Sequence, residues 1–269
     1  MHQRHDLKVA LPYSLAISKL FLFDKLLKPS APPQLLNRLK FIQFPNNPAP
    51  ALQSYSEKQE RKMSLNYETL NTPSSTLPSD PSKAFQIPTP PKTDIWRTVN
   101  QGNMEFNAPG IGARIPVSTF KSLSATVSGP WKTQFDQGGI LIAFPKTPGA
   151  DLHDSQWIKA GIEFFNGEPK LGVVGTDRFS DWSLCPMFEE GGKASFVAEK
   201  EASTIWIYAV VKGKRQPLRE IKWADLEGRA EGAEMWVGVY GAKPTPEKEG
   251  DEKAGIDVTF EGLEIETSG

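Results

Sequence analysis

Trp157, Lys159, Gly161 and Glu163 alternate with Ile158, Ala160, Ile162 and Phe164 in the run WIKAGIEFF, residues 157–165. A β-strand turns successive side chains to opposite faces. One face of this run would be apolar and pack into a core. The other would carry an aromatic ring, a cation, a bare glycine and a carboxylate, the residue types that hold a polar ligand. Asn166-Gly167 then marks a tight hairpin leading into KLGVVGT, residues 170–176. A two-residue loop sets Glu163 opposite Lys170 and Gly161 opposite Gly172. A four-residue loop ending at Pro169 sets Glu163 opposite Gly172 and Lys159 opposite Thr176 instead. Both keep Ile162 and Leu171 on the core side, because a two-residue shift preserves faces. Both leave glycines between the charges, a low floor on which a ligand could approach the backbone. The competing account is a solvated face with a Glu163–Lys170 cross-strand pair, contributing roughly 0.2–1 kcal/mol and no function.

Other reactive side chains are sparse. Cys185 is the only cysteine, which rules out an internal disulfide and fits a reducing compartment. It stands beside Pro186 with no histidine nearby in sequence, and reads as a passive small residue. Of three histidines only His153 falls after residue 92, so a zinc site of several His and Cys is excluded and a Ser-His-Asp triad finds no supporting motif. Asp136, Asp151 and Asp154 are scattered, so neither a metal nor any other cofactor is expected. Ser180-Asp181-Trp182-Ser183 belongs on a loop or strand end, with Trp182 either a core plug or a stacking platform.

The elements that would position these residues are strands. Short runs rich in β-branched and aromatic residues recur from Trp96 onward: 138–144, 157–165, 170–176, 203–211, 234–242 and 256–266. Only residues near 217–230 invite a short helical turn. All seven Trp lie between Trp96 and Trp236, which places the core after about residue 92. A domain of about 175 residues buries roughly 70% of its unfolded surface and needs no disulfide or metal staple. The expected fold is an all-β sandwich over 93–269. Residues 63–92, with six prolines between Pro73 and Pro91, read as an extended linker or edge lead-in rather than a packed element.

Charge divides the chain. Residues 1–62 hold ten Lys or Arg against four Asp or Glu, and the remainder 21 against 28. The acidic domain is a poor partner for nucleic acid, which is bound chiefly by phosphate neutralisation. The basic 1–62 reads as a targeting segment, a basic arm, or residues ahead of the native start, with Met63 a candidate start. Residues 7–27 are interrupted by Lys8, Pro12, Lys19, Asp24 and Lys25, against a bilayer span of about 20 apolar residues, so no membrane association is expected. The expected compartment is the cytoplasm, with a mitochondrial presequence open for residues 1–50, which hold only two acidic side chains.

An ordered set of motifs runs through the second part of the chain: FDQGGILI (135–142), WIKAGIEF (157–164), SDWS (180–183), PLREIKW (217–223), VGVYGAKP (237–244) and VTFEGLEI (258–265). With that set the chain resembles a concanavalin A-like family of domains named for regulation of enolase, over residues 93–267. The resemblance implies a jelly-roll sandwich of two antiparallel sheets whose concave face resembles a carbohydrate-binding surface. By motif it implies that Asp136, Gln137, Trp157, Lys159, Glu163, Asp181, Trp182, Ser183 and Arg219 line or buttress that face. It carries no catalytic residue. The Glu-x-Asp-x-x-Glu strand pattern of many glucanases on this fold is absent.

Three functions follow as expectations. The first is a non-catalytic intracellular binding or regulatory module with a protein partner, enolase being the one the family name points to. The second is a lectin-like glycan reader, with Trp157 and Trp182 stacking a sugar and Lys159, Glu163, Gln137 and Asp181 supplying donors and acceptors. The third is a glycoside hydrolase or lyase using Glu163 with Asp181 or Asp136. Arg219 could instead be tied up in a local pair with Glu220, contributing little if exposed.

Overall fold

The alternation read from residues 157–165 is realised in the computed structural model, which describes residues 65–99, 104–248 and 251–268. The basic 1–62 segment lies outside them. The described residues form fifteen strands in chain order. These are β1 (Tyr67–Leu70), β2 (Phe85–Thr89), β3 (Ile95–Arg97), β4 (Met104–Phe106), β5 (Gly110–Pro116), β6 (Phe120–Ser128), β7 (Gln137–Phe144) and β8 (Gln156–Phe165). They continue as β9 (Glu168–Thr176), β10 (Ser180–Pro186), β11 (Lys193–Glu201), β12 (Thr204–Val211), β13 (Lys214–Ile221), β14 (Glu234–Ala242) and β15 (Ile256–Thr267). The helical turn expected near 217–230 shrinks to one 3-10 turn, Lys222–Ala224, after β13.

Two antiparallel sheets make a concanavalin A-like jelly roll. The seven-stranded sheet has the order β1-β5-β14-β7-β8-β9-β10, and the six-stranded sheet β13-β12-β11-β6-β15-β2; β3 and β4 form a separate hairpin. Between the sheets lies a core in which Ile158, Ala160 and Ile162 of β8 meet Phe196, Ile207, Val258 and Phe260. Asn166 and Gly167 turn β8 into β9 with φ of 52° and 90°, the left-handed pair that a two-residue hairpin demands. The two-residue register therefore holds, with Glu163 opposite Lys170 and Gly161 opposite Gly172.

Of the stretch 63–92, the described residues 65–92 form the edge lead-in rather than the linker. Inside them β1 pairs with β5 and β2 with β15, so both are edge strands of the sandwich. Phe85, Ile87 and Thr89 alternate with Gln86 and Pro88, and Ile87 is fully buried. Pro88 is tolerated because β2 is the last strand of its sheet and one side of its backbone has no ladder to feed.

The face of the seven-stranded sheet turned away from that core is also largely covered. A second apolar cluster sits there, built from Trp157, Trp236, Tyr240, Leu141 and Val174 beneath Ile95 and Phe106 of the β3–β4 hairpin. Trp236 lies over backbone stripped of side chains: a Cβ on Gly112 would come within 2.6 Å of its ring. Close approach matters again at Gly161, where a Cβ would stand 2.1 Å from the Gly138 carbonyl oxygen. Gly161→Ala is therefore expected to destabilise the domain by about 1–3 kcal/mol through strain between β7 and β8, read as a lowered urea midpoint with unchanged slope.

Candidate functional site

Strand pairing sets the outer-face side chains in rows. One row runs Gly238, Leu141, Lys159, Val174, Trp182 across five strands; the next but one runs Ala242, Gln137, Glu163, Lys170, Pro186. Lys159 and Glu163 thus sit mid-sheet rather than at an edge. Both are buried, with relative exposures of 3% and 8%. The solvated-face account fails for them, and Lys170 pairs with Glu168 at 2.5 Å.

Among the described residues, the second apolar cluster leaves a gap on this face, a pocket of about 390 Å³. Its polar lining is Lys159, Glu163, Gln137 and Asp94, and its walls are Trp96, Trp182, Phe135, Pro244 and Thr245. Lys159 Nζ donates to Gln137 Oε1 at 2.8 Å and to Asp94 Oδ1 at 3.2 Å. It also stands 5.7–5.8 Å from the ring centres of Trp96, Trp157 and Tyr240. Three π-faces and one carboxylate replace the water that the ammonium gives up. The Tyr240 hydroxyl donates to the same Gln137 oxygen at 3.1 Å. Its phenol is pushed well above the usual range by burial and by the nearby Glu163 and Asp94 carboxyls.

Glu163 is the side chain at odds with its surroundings. Burial raises its pKa to about 7; Lys159 pulls it down, Asp94 pushes it up, and the indole N–H of Trp182 lowers it slightly. That N–H falls short of proper hydrogen-bond geometry, because Trp182 Nε1 is buried without a partner. The carboxyl is thus half protonated near neutrality, able to donate or to accept. Asp94 is already engaged, because its Oδ1 also takes the Ile95 N–H at 2.7 Å. The aromatic wall is interlocked, with Trp182 meeting Phe165, Trp96 and Phe135 edge-on at centroid distances of 5.4, 6.0 and 6.4 Å.

Among the residues expected at the site, Gln137, Lys159, Glu163 and Trp182 line the pocket. Trp157 is 1% exposed and lies beside Lys159 as buried support, not as a platform for a ligand. Asp136 is fully buried away from the pocket lining, in an ion pair with Lys243 at 3.0 Å. Asp181, Ser183 and Arg219 are not at the pocket. Alternation along β10 turns Asp181 and Ser183 to the side opposite Trp182, where the exposed Ser183 Oγ donates to Val173 O at 3.4 Å. Arg219, on the edge strand of the other sheet, does not pair locally with Glu220: it bonds the Asp181 carboxylate and, at 3.0 Å, the Asp181 carbonyl. This links the open edges of the two sheets. Arg219→Ala is expected to cost less than about 1 kcal/mol, since the pair is partly exposed, and to leave ligand affinity at the pocket unchanged in a calorimetric titration.

Asp94, Trp96, Phe135, Pro244 and Thr245 entered the site unannounced. Phe135 and Pro244 stand within quoted motifs, but nothing in their spacing aims them at β8. Among the described residues no three His, Cys, Asp or Glu side chains gather as a metal site, and no helix is long and apolar enough to cross a membrane.

Two antiparallel sheets in this strand order give the chain a concanavalin A-like jelly-roll fold. More particularly, residues 70–268 match the family described as "Protein of unknown function (DUF1349)", and the chain belongs to it. That match takes in β2, which the resemblance over 93–267 had left out. An uncharacterized protein of Emericella nidulans is 36% identical over 162 residues, 60% of this chain and 78% of the relative. The Saccharomyces cerevisiae protein called "Regulation of enolase protein 1" is 30% identical over 109 residues, 38% of this chain and 50% of that relative. A crystal structure of a functionally unknown protein from Saccharomyces cerevisiae shares the fold, with a TM-score of 0.58 at 24% identity over 75% of this chain and 96% of the other.

Proposed function

We propose that the domain is a non-catalytic binding module whose pocket takes a small, neutral, polyhydroxylated ligand, a carbohydrate of one or two rings. The observation that carries this is the burial of Lys159 and Glu163 together on the floor of an aromatic-walled pocket of about 390 Å³. That volume lies at the small end of the range for small-molecule sites, roughly 300–1,000 Å³. Lys159 and Asp94 offset each other at 3.2 Å, and Glu163 is half protonated near neutrality, so the floor has little net charge to attract an ion. Hydroxyl groups can both give and take hydrogen bonds there, and the apolar face of a sugar ring matches Trp96 or Trp182. Glycoside cleavage needs two working carboxyl groups. Asp94 is engaged by Lys159 and by its neighbour's N–H, which leaves Glu163 alone.

The experiment is calorimetric titration of the full chain with a panel of neutral mono- and disaccharides beside uronic acids and amino sugars. Saturable binding confined to neutral sugars supports the proposal. Preference for the charged sugars, or heat from none of the panel, refutes it.

A second reading is favoured by one observation, the name of the yeast relative. Under it the domain regulates a metabolic enzyme, enolase first, in the cytoplasm, and the pocket seats a ligand or a side chain of that partner. Purified enolase retained by the immobilised full chain, and released when Lys159 is replaced, is the result this reading expects.

A further inference from the structure

We infer that Lys243 is the positioning residue of the pocket, a buried hub that fixes three separate chain segments into one rim; what the rim binds rests on the proposed function. Lys243 is fully buried, yet it lies outside the pocket lining. Its Nζ donates to Thr133 Oγ1 at 2.8 Å and pairs with Glu247 at 2.9 Å and Asp136 at 3.0 Å. Its main chain does the same work on the other side. The Lys243 N–H donates to Thr93 Oγ1 at 3.0 Å, and the Thr93 N–H returns to the Lys243 carbonyl at 3.3 Å.

Each partner is a chain neighbour of lining residues. Thr93 precedes Asp94 and Trp96; Thr133 and Asp136 flank Phe135 and precede Gln137; Lys243 itself precedes Pro244 and Thr245. Those six are two-thirds of the nine lining residues. Asp136 is fitted for this task rather than for a ligand. Its Oδ2 takes the N–H groups of Thr133 at 2.9 Å and Lys132 at 3.2 Å, closing the loop that holds Phe135 at a φ of 71°. Lys132 adds an outer tie to Glu247 at 3.0 Å. A buried charged network of this kind is a weak source of stability, since apolar residues in its place often do as well. Its cost is justified where the geometry of a site depends on it.

The role separates from mere stability through Glu163. Glu163 does not touch Lys243, but its raised pKa depends on the rim that excludes water from it. Lys243→Met alone would strand the Asp136 carboxylate and could fail to fold. The double variant Asp136→Asn with Lys243→Met removes both charges and keeps an acceptor for the two loop N–H groups. Glu247→Gln loosens the network from its partly exposed arm. The measurement is the Glu163 titration by carboxyl carbon NMR in the full chain, beside thermal unfolding and sugar affinity. In the folded double variant the Glu163 pKa is expected to fall from about 7 by about one pH unit as the rim opens to water. Glu247→Gln should shift it in the same direction by less, and affinity should drop about tenfold in the double variant. A lower melting temperature with Glu163 still titrating near 7 in both variants would overturn the inference and leave Lys243 a structural residue only. If Glu163 shifts while the wild type binds no sugar, the hub stands and the carbohydrate reading falls.

Discussion

Lys159→Met is expected to cut ligand affinity by about 10- to 100-fold, the loss of a hydrogen bond from a charged donor, and to cost about 2–3 kcal/mol of stability at pH 7. The methionine fills the space of the lysine stem but returns nothing to Asp94 or Gln137. Gln137 keeps the Tyr240 hydroxyl at 3.1 Å and Asp94 keeps the Ile95 N–H at 2.7 Å, so neither oxygen is orphaned. Asp94 also retains 21% of its side-chain exposure, which lets water reach it. The cost accordingly falls below the roughly 3–5 kcal/mol of breaking a fully buried pair. Adding Asp94→Asn to Lys159→Met should recover most of the stability and none of the binding. Equal losses in the single and double variants would show that Asp94 is not the partner that matters.

The second large effect is on pH dependence. Glu163 has its folded pKa raised from 4.5 to about 7. For a group raised on folding, the stability it contributes is fully present below the unfolded value and is lost as pH rises through the folded value. The wild type should therefore weaken between about pH 4.5 and pH 7 as the carboxylate is forced to ionise in the pocket. Glu163→Gln keeps the shape and removes the titration. Its stability relative to wild type should rise by about 3 kcal/mol between pH 4.5 and pH 8.5, measured by urea unfolding at both. A difference that stays flat across that interval would mean that Glu163 titrates as an exposed carboxylate and that the pocket is wet.

Much of the fold was legible because its strands carry their burial pattern locally. The run 234–242 is β14 to the residue, and the expected faces of 157–165 are the observed ones. Asn166-Gly167 favoured the correct register, although Pro169 argued for the longer loop. The edge strands β1 and β2 were legible only as a linker or edge lead-in because prolines dominate the composition around them, while the Phe85, Ile87, Thr89 alternation is only three residues deep. At the site, period-two reasoning found Lys159 and Glu163. Motif grouping then put Asp181 and Ser183 beside Trp182, although the same alternation excludes them from its face. Asp94, Trp96 and the Lys243 hub were beyond local reasoning. Asp94 meets Lys159 across 65 residues of sequence, and the hub joins Lys243 to Asp136 across 107, pairings that no spacing rule links.

The most direct test of the pocket is a nitrogen–proton NMR titration of the full chain that follows the seven tryptophan indole signals as a neutral sugar from the bound set is added. Trp96 and Trp182 line the pocket, whereas Trp206 stacks on Tyr208 in the other sheet and Trp223 packs on Phe144. The account predicts saturable shifts of the Trp96 and Trp182 indoles, absent in Lys159→Met, with Trp206 and Trp223 unmoved. Shifts confined to Trp206, or no shift at Trp96 and Trp182 under saturating sugar, would contradict it.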